Sequence, residues 1–213
     1  MRVLDLFAGK GGWSRAFVER GHEVVTVDCD PRFECDITGD IMDSQTAFLI
    51  HTNGPYDIVL ASPPCEAFSV AAIGHHWLPG YVPRTDHAKM SLRLVERTLA
   101  IIESLDPRFW VLENPRGMLR KMPFMADIPR VTVTYCQYGD TRMKPTDLWG
   151  RFPPMMFRPM CSNGADCHES APRGARTGTQ GVKDVADRAL VPYLLSLEVC
   201  EAAERAIQEE SCT

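Results

Sequence analysis

The sequence predicts an α/β domain, a mostly parallel sheet with helices on both faces, plus a small irregular insert. Three observations predict it. Short apolar runs at 2–6, 22–27, 57–61, 109–112 and 131–135 are interleaved with helical patterns. A glycine-rich loop at 7–12 joins the first run to the first helical pattern. Asp5, Asp28, Cys65 and Glu113 each fall at or just beyond the end of an apolar run. Open parallel sheets bind their ligands at those strand ends.

Each element follows from local chemistry. Residues 13–20 read as a helix with Trp13, Ala16 and Phe17 on one face and Gly21 as the stop signal. Thr85 or Asp86 can cap a long helix from about 87 to 105, with Leu92, Val95, Leu99 and Ile102 at helical spacing. That helix must end before Asp106-Pro107. Residues 150–184 are rich in Pro, Gly, Arg and Cys without periodicity, and read as a loop-built insert. Residues 187–208 close the chain as a helix or helix pair.

At 213 residues the chain is one domain, or one domain with a small appendage, and can bury a full core. No apolar run approaches the roughly 20 residues that span a bilayer. The first residues enter a strand directly, so no signal peptide is expected and the expected location is the cytoplasm. The eight cysteines then call for a reading other than disulfides. The net charge of −5 argues against a non-specific nucleic-acid binder, yet residues 136–181 carry +2, leaving −7 elsewhere. A local basic segment on an acidic body suits a polyanion docked on one face. A solvated loop would carry the same charges.

The chemistry-bearing residues form two groups. Gly9, Gly11 and Gly12 let the backbone approach a ligand closely before a helix N-terminus. The spacing is neither the dinucleotide fingerprint nor a P-loop. A glycine loop alone is equally a tight turn. With Asp28 ending the second strand it favours an adenosine-type cofactor. Residues 61–69 read Ala-Ser-Pro-Pro-Cys-Glu-Ala-Phe-Ser, which holds Cys65 on a proline-stiffened turn after an apolar strand, a placement suited to a nucleophile. Glu113 follows another apolar strand, where a carboxylate is costly unless bonded. It is either a structural acid or a proton donor and acceptor beside the thiol.

These residues together resemble the cytosine-C5 DNA methyltransferase family. The segment Asp5-Leu6-Phe7-Ala8-Gly9-Lys10-Gly11-Gly12 is similar to its cofactor loop, residues 62–69 to its nucleophile motif, and Glu113-Asn114 to its Glu-Asn motif. Tyr138-Gly139 with Arg142 and Lys144 resembles its later basic motif, and Ala189-Leu190-Val191-Pro192 its last one. The resemblance implies S-adenosylmethionine as cofactor, along Phe7, Ala8, Gly9, Gly11, Gly12 and Pro63, with Asp28 at the ribose. Asp40 would face the adenine, with Asp36 and Asp43 as competitors. Cys65 would be the nucleophile and Glu113 its partner acid; Arg142 or Lys144 would lower the thiol pKa. It also implies duplex DNA as partner with the target base flipped out, and a monomer. On this reading 1–149 is the catalytic domain, 150–184 a target-recognition insert, and 185–213 a helical segment packing back. Arg151, Arg158, Arg173 and Arg176 are the expected phosphate contacts, with surface solubility as the plainer reading of each.

The chain departs from the family pattern in four places. Pro115 follows Glu113-Asn114, the basic motif has few arginines, and Ala189 stands where asparagine is customary. The recognition region is short, so a short or relaxed target, such as a dinucleotide, is expected. The same chemistry on tRNA or a free nucleotide is the alternative, and a catalytically silent relative is a third reading. No metal is expected at the catalytic site. In the insert, Cys161, Cys167 and His168 could bind zinc with a fourth ligand such as Cys136. The spacing is not a standard knuckle, so ordinary thiols and an exposed histidine are the favoured reading there. Residues 70–89 lack periodicity and resemble the family's substrate-closing loop, with His75 and His76 as possible phosphate contacts.

Overall fold

The computed structural model describes residues 1–169, 182 and 184–211. Arg173 and Arg176 lie outside the described residues. The strands are β1 (Arg2–Leu6), β2 (Glu23–Asp28), β3 (Ile37–Thr38), β4 (Ile58–Ala61), a small hairpin β5 (Trp77–Leu78) and β6 (Val82–Pro83), then β7 (Phe109–Pro115), β8 (Arg130–Thr134) and β9 (Pro145–Arg151). The helices are α1 (Ser14–Glu19), α2 (Ser44–Thr52), α3 (Ile73–His76), α4 (Asp86–Leu105), α5 (Val185–Ala189) and α6 (Tyr193–Ser211).

Seven strands form one sheet in the order β3-β2-β1-β4-β7-β9-β8. β3, β2, β1, β4 and β7 run parallel, whereas β9 runs antiparallel to both β7 and β8. The predicted α/β class is therefore the observed one. Side chains alternate between two buried faces. Val3, Ile58, Leu60 and Val111 pack with Trp13, Phe17, Leu195 and Val199 from α1 and α6. Leu4, Leu6, Val59 and Ala61 pack on the other face with Ile101 and Ile102 of α4. Each fully buried Leu, Ile, Val or Phe contributes about 1.5–3 kcal/mol relative to exposure.

The short β3, β5, β6 and α3 were not anticipated, nor were the longer β9 and α2. β9 was read only as part of a basic motif, because Pro145 opens it and Gly150 interrupts it. Proline is tolerated at a strand's first residue. At Gly150 a Cβ would sit 1.9 Å from the Trp110 carbonyl oxygen, so the close approach of β7 requires glycine. α2 was missed because its apolar residues make only a weak stripe; Ala47 and Ile50 are buried while Phe48 is exposed. At α4, Thr85 rather than Asp86 is the cap, its hydroxyl accepting from Ala88 N at 3.2 Å. The residues after Cys65 fold down: Trp77 is buried and its indole N–H donates to the Ala67 carbonyl at 2.7 Å.

Candidate active site

The strand order brings the chemistry together. β4 and β7 are parallel neighbours, so Cys65, beyond the end of β4, and Glu113, near the end of β7, share one edge of the sheet. Asn114 staples the two exits. It is fully buried, and its amide donates to the Pro63 carbonyl at 3.0 Å. Trp13 adds a second staple, its indole N–H donating to Ser62 Oγ at 3.1 Å. The Cys65 turn is closed by Phe68 N and Ser69 N, which both donate to the Cys65 carbonyl. Met118 N holds the Phe68 carbonyl at 2.7 Å, and a Cβ at Gly117 would lie 2.1 Å from that same oxygen.

Glu113 is almost fully buried and is partnered, as burial of a carboxylate demands. The Tyr135 hydroxyl donates to Glu113 Oε1 at 2.8 Å, and Lys144 Nζ lies 3.6 Å from the same oxygen. Lys144 also stands over the Tyr135 ring, 4.4 Å from its centroid, and donates to the Arg188 carbonyl. Burial and then the Glu113 charge hold the Tyr135 hydroxyl well above the usual phenol range, so it remains a donor. Sequence reasoning missed Tyr135, taking it as the last residue of an alternating strand.

The environment of Cys65 corrects an expectation. The thiol was expected to be lowered by nearby positive charge. Lys144 does act in that direction, but burial outweighs it, and with the Glu113 charge opposing as well the thiol is pushed up to about 11. Arg142 does not supply that charge. Its guanidinium is paired with Asp140, Nε to Oδ1 at 2.9 Å, and its Nη1 donates to the Arg188 carbonyl. Among the described residues it touches neither Cys65 nor Glu113 directly.

The glycine loop is strained towards one shape. Phe7 (φ +61°), Gly9 (φ +52°) and Gly11 (φ +72°) all lie in the left-handed region, which is uncommon for a residue such as Phe7. Asp28 organises the loop: its carboxylate accepts from Gly9 N and from Asp30 N, each at 2.9 Å. Ala8 is buried with its N–H on the Val27 carbonyl. Gly12 answers a different need, because a Cβ there would sit 2.7 Å from Val191 N in the segment leading to α6. Asp36 is committed to Thr26, bonding its N–H and hydroxyl, and Asp43 stands at the start of α2. Asp40 accepts from Met42 N at 2.9 Å and Asp43 makes no side-chain capping bond, so hydrogen bonding rules out Asp36 but does not choose between the other two.

Two of the expected phosphate contacts are engaged within the protein. Arg151 pairs with Trp110 at the start of β7, the sheet edge opposite Cys65, and bonds Asp106 and the Pro107 carbonyl. Arg158 is spent on Glu198 of α6 and the Gln137 carbonyl. Both tie chain segments together. Arg116 is exposed just after the Glu113 strand and was not anticipated. Its neighbour Gly117 bridges to Ser69, so it stands between the Cys65 turn and the exit of β7. His76 is held by Thr85 at 2.7 Å, leaving His75 the more exposed of the pair.

The candidate chemistry gathers at the C-terminal ends of the parallel strands, where open α/β sheets bind their ligands. The structure is similar to that of the Entamoeba histolytica methyltransferase EhMeth, with a TM-score of 0.51 at 14% identity, covering 76% of this chain and 57% of that one. The family model for C-5 cytosine-specific DNA methylase matches residues 1–123. A probable DNA (cytosine-5)-methyltransferase of Frog virus 3 (isolate Goorha) is 32% identical over 161 residues, 70% of each chain. The type II methyltransferase M.XorII of Xanthomonas oryzae pv. oryzae is 29% identical over 133 residues, 54% of this chain and 28% of that protein. The chain belongs to the C-5 cytosine-specific DNA methylase family. No helix among the described residues is long and apolar enough to cross a membrane.

Proposed function

We propose that the protein methylates C5 of cytosine in duplex DNA, in the cytoplasm of a bacterial or virus-infected cell, with Cys65 as nucleophile and Glu113 as its partner acid. The observation that carries this is the meeting of Glu113, Tyr135 and Lys144 at the strand ends beside the Cys65 turn. S-adenosylmethionine, when bound, supplies an electrophilic methyl group on a sulfonium. The loop fits such a cofactor, since its backbone is left-handed at three positions and a Cβ at Gly9 would meet nothing closer than 4.0 Å. Phe7, Ala8, Gly9, Gly11 and Pro63 would line it, with Asp28 and Asp40 at its polar groups.

The residues then divide the work. Cytosine C5 is a poor nucleophile, and addition of the Cys65 thiolate at C6 gives it enamine character. A proton shared between Glu113 and ring N3 stabilises the charge that develops. Tyr135 orients the Glu113 carboxyl, and Lys144 favours the thiolate. Loss of the C5 proton and expulsion of Cys65 restore the aromatic ring. The thiol is largely protonated in the resting protein, so its proton must leave before attack. The base must leave the duplex to reach Cys65. Arg116 and His75 are the candidate phosphate contacts around that opening. The recognition segment after β9 is short, which favours a short or relaxed target.

The test is methyl transfer from labelled S-adenosylmethionine to duplex DNA, tRNA or dCMP. Label at cytosine C5 of DNA, lost in Cys65→Ala, supports the proposal. Label confined to tRNA or dCMP overturns the substrate, and cofactor binding without transfer overturns the activity.

A further inference from the structure

The turn after β8 and the chain after β9 converge on a second site, away from the methyl-transfer chemistry. Three thiols and an imidazole, from Cys136, Cys161, Cys167 and His168, bring their ligand atoms within 4.8 Å of one another. Cys161 Sγ is 3.2 Å from Cys167 Sγ, and each sulfur is 3.6 Å from His168 Nδ1. Tetrahedral zinc, with Zn–S about 2.3 Å and Zn–N about 2.0–2.1 Å, places S···N at about 3.6 Å and S···S at about 3.8 Å. The sulfur–nitrogen separations meet that requirement, and the sulfur pair needs to open only slightly. We propose that these four residues hold one structural zinc ion in a closed Cys3His site.

The sequence obscured this arrangement. The spacing of Cys161, Cys167 and His168 fits no standard knuckle, and Cys167 and His168 are adjacent. The fold removes both objections. A turn at 162–165, with Gly164 at φ +86°, folds Cys161 back onto Cys167, and Cys136 arrives from a separate element. Four protein ligands leave no open position, which is the signature of a structural rather than a catalytic site.

The segment needs such a staple. Residues 152–169 contain no helix or strand; Phe152, Met155 and Phe157 pack on the core, and polar contacts hold the stretch that carries the cysteines. Cys161 N donates to Thr134 Oγ1, Glu169 N to the Thr141 carbonyl, and Arg158 pairs with Glu198. A loop-built segment of this size gains stability from a metal because it cannot bury a core of its own. The staple also bears on the active site: Cys136 directly follows Tyr135, whose hydroxyl bonds Glu113. Zinc would thus fasten the segment after β9 beside the residue that bonds Glu113. The other grouping of His, Cys and carboxylate, His22, Cys200 and Glu204, differs because Arg20 already neutralises Glu204 at 2.6 Å.

The proposal stands independently of the substrate. The full chain is expressed with zinc in the medium, purified without chelator, and its metal content measured by mass spectrometry. About one zinc per chain is expected, and cobalt substitution should give the intense visible spectrum of tetrahedral thiolate coordination. Cys161→Ser and Cys167→Ser should each fall to less than about a tenth of the wild-type content. Cys29→Ser, exposed and outside the cluster, should keep it. If the cluster variants do not fold, the wild-type metal content and cobalt spectrum still decide. A folded wild-type protein without metal, or a Cys161–Cys167 disulfide in its unreduced peptide map, overturns the proposal.

Discussion

Asp5 makes the stability of this protein depend on pH in a direction unusual for a carboxylate. It is 1% exposed at the end of β1, its Oδ2 accepts from the Ser14 hydroxyl, and its Oδ1 has no hydrogen-bond partner. Burial pushes its pKa from 3.8 up to about 7, and the Asp28 charge adds to the rise. Below about pH 4 the group is protonated both folded and unfolded, and costs nothing. Between about pH 4 and pH 7 the folded state holds a proton that the unfolded state releases, so stability falls as pH rises through that window. Above about pH 7 the loss is complete, at about 4 kcal/mol for a shift of about 3 units. Between pH 5 and pH 8 the change is about 3 kcal/mol. Asp5→Asn removes the titration and offers an amide N–H₂ where Oδ1 lacks a partner. Urea unfolding of both proteins at pH 5 and pH 8, without cofactor and with reductant, isolates this group from the others that titrate. The expected result is a stability difference that moves by about 3 kcal/mol in favour of Asp5→Asn on going to pH 8. A difference that stays constant within about 1 kcal/mol, or moves the other way, refutes the reasoning.

Other consequences are equally open to measurement. With its thiol pushed up to about 11, Cys65 should alkylate about tenfold faster per pH unit up to about pH 10, and Lys144→Met should slow it severalfold, read by peptide mass spectrometry. Tyr135→Phe removes the donor on Glu113; methyl transfer should fall in kcat by about tenfold to a hundredfold with little change in KM, the fold being retained. Arg120→Met leaves the fully buried Asp147 with its charge uncompensated, since Arg120 Nε is its 2.8 Å partner; unfolding should cost about 3–5 kcal/mol less, measured in urea. Gly117→Ala forces the Phe68 carbonyl away by its Cβ, and transfer activity should drop more than thermal stability.

The parallel core was legible because its signals are local. Val3, Leu4, Leu6 and the run 58–61 are apolar on both faces, as strands covered by helices must be, and Gly21 and Asp106-Pro107 punctuate α1 and α4. β9 was illegible for the opposite reason. Pro145 and Gly150 argue against a strand locally, and only the approach of Trp110 shows why glycine belongs there. The partners of Arg151 and Arg158 were illegible in the same way. Charge in a sequence marks a residue that must be solvated or paired, and for Arg151 and Arg158 the partners lie 44 and 40 residues away.

By itself the sequence determined the kinds of chemistry available: a thiol on a proline-stiffened turn, a carboxylate ending an apolar strand, and a glycine loop before a helix. Backbone restriction and burial cost act within a few residues, so they can be read from a few residues. The tertiary structure decided which groups meet. It placed Tyr135 and Lys144 on Glu113, set burial against charge at Cys65, turned Arg142 to Asp140, and gathered Cys136 with Cys161, Cys167 and His168. Electrostatics and coordination depend on distances of a few ångströms, and between residues far apart in the chain only the fold sets those distances.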